Sequence, residues 1–359
     1  MISADRSKQG ILYPGTPAFR RHEAYAKEFG NLDIIGLSRK SDAAKFIDAG
    51  ALRVYPTNSS SRFLYGLKAA RVALSLSKPD VVSVQDPFET GLLGWLIARV
   101  LQRPLHVQVH TDFLSPEYAA HSFLNRLRVF VAGFVLRRAK RIRVVSPRIK
   151  RSIEARKWKF EGAISVLPIF VDKDYFRWRL PDAELEGRFK EFSARILVVS
   201  RLEPEKDVET AIRIFAEYAP VTACLIIVGD GTAQQSLQAL SELLQVERRI
   251  FFEGTKDPAP YYKRADLVLS TSRYEGYGLV IAEALSAEKS VLSTDVGAAR
   301  ELGAIVASSR EELGEKMVEW FQRGSRVGHL TAYPYKNFEA YVHSYVNDIR
   351  ACASDEKTQ

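Results

Sequence analysis

Along most of the chain, short apolar runs rich in β-branched residues alternate with stretches of helical length and helical period. In the first half the runs fall at residues 32–36, 52–55, 81–85, 105–110 and 142–145. After a polar, weakly periodic stretch ending near Ser193 they resume at 195–199, 223–228, 250–252, 267–270 and 290–293. Runs this short, bounded by glycine, proline and small polar residues, read as strands. Strands separated by helices do not pair as hairpins, so the pattern predicts parallel sheets with helices on both faces, one sheet in each half. A length of 359 residues favours two domains over one, and 46% hydrophobic content supplies a core for each.

The two ends depart from the pattern. A sheet of this kind ordinarily opens with an apolar strand, but only Met1 and Ile2 precede the polar Ser3, Ala4, Asp5, Arg6 and Ser7, so part of a first strand is expected to be missing. At the other end Phe338, Tyr341, Val342, Tyr345, Val346 and Ile349 recur at helical spacing within 335–353. They predict a helix with a face to bury, followed by a polar, frayed tail over 354–359.

Most of the candidate chemistry lies between Ser270 and Ala287. The strand at 267–270 leads into Glu275, Gly276, Tyr277 and Gly278, and a helix from Leu279 to about Ala287 follows. Two residues without a Cβ let backbone N–H groups turn toward a ligand. The helix start adds unpaired N–H groups and partial positive charge, which suits a phosphate. Glu283, one turn past Leu279, is placed to reach hydroxyls of the same ligand, with Glu275 nearer its other end; the plain alternative is a cap and a solvated helix residue. After the 195–199 strand, Arg201 and Lys206 stand five residues apart and can clamp a diphosphate, Arg as a bidentate fork and Lys as a mobile point charge. Their alternative is surface pairing with Glu203 and Glu205. Gly229 and Gly231 make a tight turn after the 223–228 strand, near the same edge. In the first half His110, followed by Thr111 and Asp112, closes the 105–110 strand at the carboxyl edge where open α/β sheets bind ligands, unless it caps the next turn. Gln85 and Asp86 either line an acceptor or make a turn.

Composition narrows the classes. Cys224 and Cys352 form no disulfide framework, and neither they nor the six histidines show metal-ligand spacing, so no metal site is expected. No run approaches the roughly 20 apolar residues of a membrane span and no leader pattern opens the chain, so a cytoplasmic protein is expected. The formal charge of +9 is local: residues 137–159 hold eleven Lys or Arg and one acid, Glu154. Just before them Phe123, Leu124, Leu127, Phe130 and Phe134 form an apolar face with Arg126, Arg128, Arg137 and Arg138 beside it. Such a helix either lies on an anionic membrane surface, as a peripheral protein of the inner face of the cell membrane, or packs on the sheet with its arginines reaching into water.

Several segments resemble motifs of the family 4 retaining glycosyltransferases. EGYGLVIAEA, Glu275 to Ala284, resembles the EGxGLxxxEA signature. Arg201, Leu202, Lys206 and Asp207 resemble GRL...KG/D, with Ser200 replacing its glycine. Val228 to Gly231 matches VGxG, and residues 294–301 match TxxGGxxE, with Ala298 in place of the second glycine. Residues 167–176 are similar to an NGVDxxxF hinge in which Ile169 and Phe170 replace Asn-Gly. The resemblance covers nearly all of the chain, closely over 196–302 and weakly over the first hundred residues. There GILYPG, Gly10 to Gly15, stands where the family has a glycine-rich loop but lacks an adjacent glycine pair.

The resemblance implies an α/β protein of the GT-B fold, two Rossmann-like doubly wound parallel-sheet domains facing a cleft. The acceptor-side domain is expected over 1–171, the nucleotide-sugar donor domain over 172–334, and a final helix crossing back to the first domain, plus the tail, over 335–359. It implies that Glu275 and His110 contact the donor sugar, that the amides of Gly276, Tyr277, Gly278 and Leu279 hold the distal phosphate, and that Glu283 binds the ribose. Arg201 and Lys206 would stabilise the departing diphosphate, Gly229 and Gly231 would shape the base or phosphate pocket, and residues 254–257 would meet the nucleobase through backbone atoms. The expected activity is retaining, metal-independent hexosyl transfer from a UDP- or GDP-linked donor, with no other cofactor, to a glycan or lipid-linked acceptor in surface polysaccharide or glycolipid biosynthesis. The rivals are a nucleotide-sugar 2-epimerase of the same fold, which needs no acceptor, and a basic nucleic-acid-binding protein using 137–159. No clustered surface aromatics or zinc spacings support the latter, so no nucleic-acid partner is expected. Against a catalytically lapsed relative stand Arg201, Lys206, Glu275 and Glu283 together.

Overall fold

The computed structural model of the protein describes residues 1–354 apart from Lys8, Glu161, Asp182, Ser325 and Arg326; the tail expected beyond Ser354 lies outside the described residues. The chain divides into two compact units, one of Met1–Leu167 with Tyr335–Gln359 and one of Pro168–Pro334.

The first unit is built on β1 (Ile2–Ser3), β2 (Leu32–Gly36), β3 (Ile47–Ala49), β4 (Leu52–Pro56), β5 (Val82–Val84), β6 (Leu105–Val109), β7 (Arg141–Val144) and β8 (Ala163–Val166). Their order is β3-β4-β2-β1-β5-β6-β7-β8, and β3 alone runs antiparallel, on β4. β1 has only two residues, with Ile2 opposite Ile35 on one side and Val84 on the other. The edge strands β3 and β8 were absent from the sequence expectation, because their residues are half-buried or exposed and carry little hydrophobic signal. Three helices of this unit start on one device: a Ser or Thr followed by Pro. The hydroxyls of Thr16, Ser115 and Ser146 accept from the backbone N–H groups of Phe19, Tyr118 and Ile149, while Pro17, Pro116 and Pro147 supply the fixed φ of the first turn.

The second unit holds β9 (Ala194–Val199), β10 (Ala223–Val228), β11 (Ile250–Gly254), β12 (Leu267–Ser270), β13 (Ser290–Thr294) and β14 (Ile305–Ala307), all parallel, in the order β11-β10-β9-β12-β13-β14. Its core packs Ile196, Val198, Leu225, Ile227 and Leu269 against Ile212, Phe215 and Met317 from the covering helices. Short β14, with Ile305 partly exposed, had escaped the periodicity. Among the described residues no helix is long and apolar enough to cross a membrane.

The helix Phe338–Ala353 packs within the first unit. It starts three residues later than its apolar spacing predicts because Asn337 caps it, accepting from Ala340 N at 2.9 Å. Its buried face carries Tyr341, Val342, Tyr345, Val346 and Ile349, and also Asp348. The strand beneath, β6, points His106 and Gln108 at that face, both fully buried. Gln108 Nε2 donates to Tyr345 Oη at 2.8 Å, and the Tyr345 ring stacks on Tyr25 with centroids 4.0 Å apart. Asp348 accepts from Arg141 Nε at 2.5 Å and lies 3.1 Å from His106 Nε2, while Ser83 Oγ sits 3.0 Å from His106 Nδ1. Burial alone would raise the Asp348 carboxyl. The hydrogen bonds from His106 and Arg141 outweigh it and bring the group from its ordinary 3.8 to about 2, whereas burial lowers His106 against the pull of Asp348.

Removing one partner of such a buried cluster strands the others. Asp348→Ala should therefore lower stability by about 3 kcal/mol or more in urea unfolding. The sign with pH follows from the depressed carboxyl: the wild-type advantage is complete above about pH 4 and fades as pH falls toward 2. An advantage that stayed constant over that interval would contradict the assignment.

Candidate active site

β12 pairs directly with β9, yet the chain leaves β9 toward β10 and leaves β12 toward β13, on opposite sides. Right-handed crossovers send the two following helices to opposite faces, so the loops after β9 and β12 diverge and open a crevice at the carboxyl edge of the sheet. Residues Ser200 to Asp207 come from the first loop and Thr271 to Gly278 from the second. Thr271 Oγ1 donates to Asp207 O at 2.8 Å and Arg273 N to Glu205 O at 2.9 Å, which tie the loops together at their bases.

Across this crevice Lys206 Nζ meets Glu275 Oε1 at 2.5 Å, and Ser272 Oγ donates to the same oxygen at 2.9 Å. Both charged side chains are mostly withdrawn from water. Gly278 ends the loop with φ 95°, a left-handed conformation that costs a residue with Cβ, and so turns the chain into the helix Leu279–Ser286, one residue shorter than expected. Among the described residues no side chain caps that helix, so its first N–H groups are left without a side-chain acceptor, a few residues along the chain from Glu275. The loop after β13 supports the turn from behind. Ala298 N donates to Tyr277 O at 2.9 Å, and a Cβ on Gly297 would lie 2.5 Å from the same oxygen. Ala298 itself is accommodated at φ −110° with its methyl buried. One helical turn on, Glu283 accepts from Tyr262 Oη at 2.9 Å. Burial pushes its carboxyl above the usual 4.5, against the pull of the Tyr262 hydrogen bond.

Other expected site residues are placed differently. Arg201 is 69% exposed and pairs with Glu205 at 2.8 Å, the surface arrangement open from its sequence, while Lys206 has turned to Glu275. Gly229 and Gly231 are required by the backbone behind the crevice. A Cβ on Gly229 would fall 1.8 Å from Ser200 O and one on Gly231 2.5 Å from Leu202 O. That close approach lets Leu202 N reach Asp230 O at 2.9 Å and Ala233 N reach Leu202 O at 3.0 Å. Gly254 accepts from Gly229 N at 2.8 Å, and Lys256 is engaged by Glu253 at 2.9 Å. His110 lies in the first unit, exposed just past β6. Asp86 there makes its own turn, accepting from Phe88 N at 2.8 Å and Thr90 Oγ1 at 2.6 Å, as the turn alternative held. Sequence reasoning missed Ser272, Thr271 and Tyr262. The first two belong to a small polar run at a strand end, a usable signal, but nothing local marks Tyr262 as the partner of Glu283. Among the described residues no three His, Cys, Asp or Glu side chains gather to hold a metal ion.

Comparison with known proteins assigns the chain to a family. Residues 32–168 match the family model for a glycosyl transferase 4-like domain and residues 186–304 that for glycosyl transferases group 1, together more than two thirds of the chain. The chain therefore belongs to the family 4 glycosyltransferases of GT-B fold. It is 27% identical over 253 residues to alpha-monoglucosyldiacylglycerol synthase of Streptococcus pneumoniae, covering 65% of this chain and 56% of that protein. It is 25% identical over 224 residues to alpha-D-kanosaminyltransferase of Streptomyces kanamyceticus, covering 58% and 57%. The matched part is thus little more than half the length of these relatives. Among solved structures it is similar in fold to Anabaena Alr3699/HepE in complex with UDP and glucose, with TM-score 0.68, 18% identity and coverage of 97% and 94%. It is also similar to sucrose-phosphate synthase from Thermosynechococcus elongatus, with TM-score 0.73, 17% identity and coverage of 98% and 95%.

The backbone interlock at Gly229 gives a direct test. Gly229→Ala, at φ 137° and with Ser200 O in its way, should cost about 2–4 kcal/mol in chemical denaturation. Gly187→Ala, with nothing near its Cβ, should stay within about 0.5 kcal/mol of wild type; equal behaviour of the two variants would refute the packing argument.

Proposed function

We propose that this protein transfers a hexose from a nucleotide-diphosphate sugar to a glycan or lipid-linked acceptor, with retention at the anomeric carbon and without a metal. The observation that carries the reading is the Lys206–Glu275 pair beside the uncapped start of the Leu279–Ser286 helix, at the point where the strand order of the second unit reverses. That arrangement offers a diphosphate a mobile cation and a row of N–H groups, and offers sugar hydroxyls a fixed carboxylate. Glu283, half-buried one turn further, suits the ribose. Arg201, exposed and paired with Glu205 at the surface, can swing toward the diphosphate, since such pairs are worth about 1 kcal/mol or less.

In the proposed step the bond from the anomeric carbon to the diphosphate oxygen breaks as the acceptor oxygen attacks from the same face. The acceptor proton passes to a phosphate oxygen, so no protein nucleophile is needed. Lys206, Arg201 and the helix start stabilise charge on the leaving diphosphate, and Glu275 steadies positive charge at the anomeric carbon. His110 is assigned to the donor sugar, Gly229 and Gly231 to the wall behind the phosphates. The donor base is UDP or GDP; UDP is the first to test, as Anabaena Alr3699/HepE was solved with it. A relative named for a glucosyldiacylglycerol product supports a lipid-linked acceptor, and with it surface polysaccharide or glycolipid synthesis by a peripheral protein on the cytoplasmic face of an anionic membrane.

Two measurements check this. The nucleotide that matches the site should stabilise the protein by about 2.7 kcal/mol at a hundredfold excess over its Kd, seen as a higher Tm. Lys206→Ala should weaken that nucleotide about tenfold or more; no shift with UDP, GDP or their sugars in folded protein would sink the donor site. Glu275→Gln should keep the nucleotide-induced shift but cut turnover on the order of a hundredfold, followed as nucleoside diphosphate released from the donor. Turnover near wild type would remove Glu275 from the mechanism.

A further inference from the structure

Each cation of the proposed diphosphate clamp is paired with an acid. Lys206 faces Glu275, to which the reading above gives the donor sugar, and Arg201 Nη2 donates to Glu205 Oε1 at 2.8 Å. Glu205 has no part in the proposed transfer step. The other acids of its loop are turned elsewhere. Glu203 accepts from Thr232 N at 3.2 Å and from Thr232 Oγ1 at 2.9 Å, and Asp207 pairs with Arg273 at 3.2 Å.

The two members of the Arg201–Glu205 pair differ in freedom. The Arg201 side chain is 69% exposed and that of Glu205 17%. Glu205 stands in the short 3-10 turn Pro204–Lys206, closed by Lys206 N donating to Glu203 O at 2.9 Å, and its own carbonyl accepts from Arg273 N of the opposite loop at 2.9 Å. The carboxylate is a fixed post and the guanidinium is the arm that moves. Both bidentate edges of a guanidinium, Nη1 with Nη2 and Nε with Nη2, include the nitrogen that Glu205 holds. A phosphate taking either edge must displace Glu205 or share Nη2 with it, and sharing sets two like charges side by side. Glu205 therefore opposes whatever anion Arg201 grips, the more so the greater that anion's charge. The diphosphate of a nucleotide sugar is esterified at both ends. Once the sugar has left, the terminal phosphate has a second ionisation at about pH 6 and carries most of a further negative charge at neutral pH.

We infer that Glu205 is a release residue: by competing for Arg201 it weakens the hold on the nucleoside diphosphate product more than the hold on the nucleotide sugar, and so favours product departure. The inference rests on the diphosphate clamp proposed above and adds to it a residue that acts through Arg201, a positioning residue rather than a catalytic one. Where product release limits turnover, such a counter-charge raises kcat. The spacing and exposure of the pair set the scale, since a surface pair shifts an affinity by about fivefold at most.

The test is calorimetric titration of the full chain with UDP, GDP, UDP-glucose and GDP-mannose, in wild type and in Glu205→Gln. The control is Glu209→Gln, which removes the same charge from a residue that pairs with Arg213 at 2.8 Å instead. Glu205→Gln should tighten the nucleoside diphosphate that the site accepts by about fivefold and its sugar-linked form by no more than about twofold. Glu209→Gln should leave both affinities unchanged. In an Arg201→Ala background the gain from Glu205→Gln should fall below about twofold, because the two residues act as a pair. Equal or weaker product binding by Glu205→Gln would overturn the inference, as would equal gains for product and sugar-linked donor, or a full gain without Arg201. If wild type binds none of the four compounds, the donor site itself falls and this role with it.

Discussion

The parallel pairing of β12 on β9 is the constraint on which the second unit's chemistry depends. Neighbouring strands of an open sheet ordinarily send their helices to the same face, and their loops pack together. Here the chain leaves the two strands in opposite directions, so the loops part and polar groups from residues 69 positions apart in sequence share one crevice. Every other feature of the site is support for that gap. Gly229 and Gly231 let one wall close against the Ser200–Leu202 backbone, Gly297 lets another close against Tyr277, and Thr271 joins the loops at their floor. These glycines are needed for backbone contact, so their chemistry is indirect: they place other residues.

Within the crevice, burial separates charges that matter from charges that do not. Arg201 and Lys206 belong to one short motif, but Arg201 stays in water with Glu205 at a neighbouring turn, and Lys206 is drawn inward to Glu275. An exposed pair contributes little and is easily exchanged, whereas a half-buried pair in lower dielectric holds both groups in position. Glu283 sits further in, with a raised carboxyl that accepts a hydrogen bond from the Tyr262 hydroxyl. The site therefore grades from a mobile cation at its mouth to a fixed carboxylate at its back.

The first unit shows what a late segment of chain can supply to an early one. β6 alternates Leu105, Val107 and Val109 with His106 and Gln108, which by itself reads as a strand with one wet face. That face is dry, because the Phe338–Ala353 helix covers it and brings Asp348, Tyr341 and Tyr345 to satisfy the buried donors. Arg143 lies in the same layer, donating to Gln108 Oε1 at 2.8 Å and facing the Tyr345 ring. Buried polar groups without such partners would each cost several kilocalories, on the order of 1–3 kcal/mol, so helix and strand are interdependent.

What the sequence determined by itself is what local physics encodes. Apolar period two against period 3.6 placed the central strands and the helices, since burial acts on each residue's own side chain. The strand-to-helix turn at Glu275–Leu279 was legible because two glycines before an apolar helix leave a phosphate-sized set of N–H groups whatever surrounds them. Edge strands β3, β8 and β14 were not legible, since half-exposed residues carry no strong pattern. Tertiary structure alone decided which charge meets which: that Lys206 takes Glu275 while Arg201 takes Glu205, that Tyr262 supports Glu283, and that the basic run 137–159 is dispersed between core, ion pairs and a surface shared with Arg99 and Arg103. Electrostatic pairing depends on distance and dielectric in three dimensions, and neither is written in the order of residues along a chain.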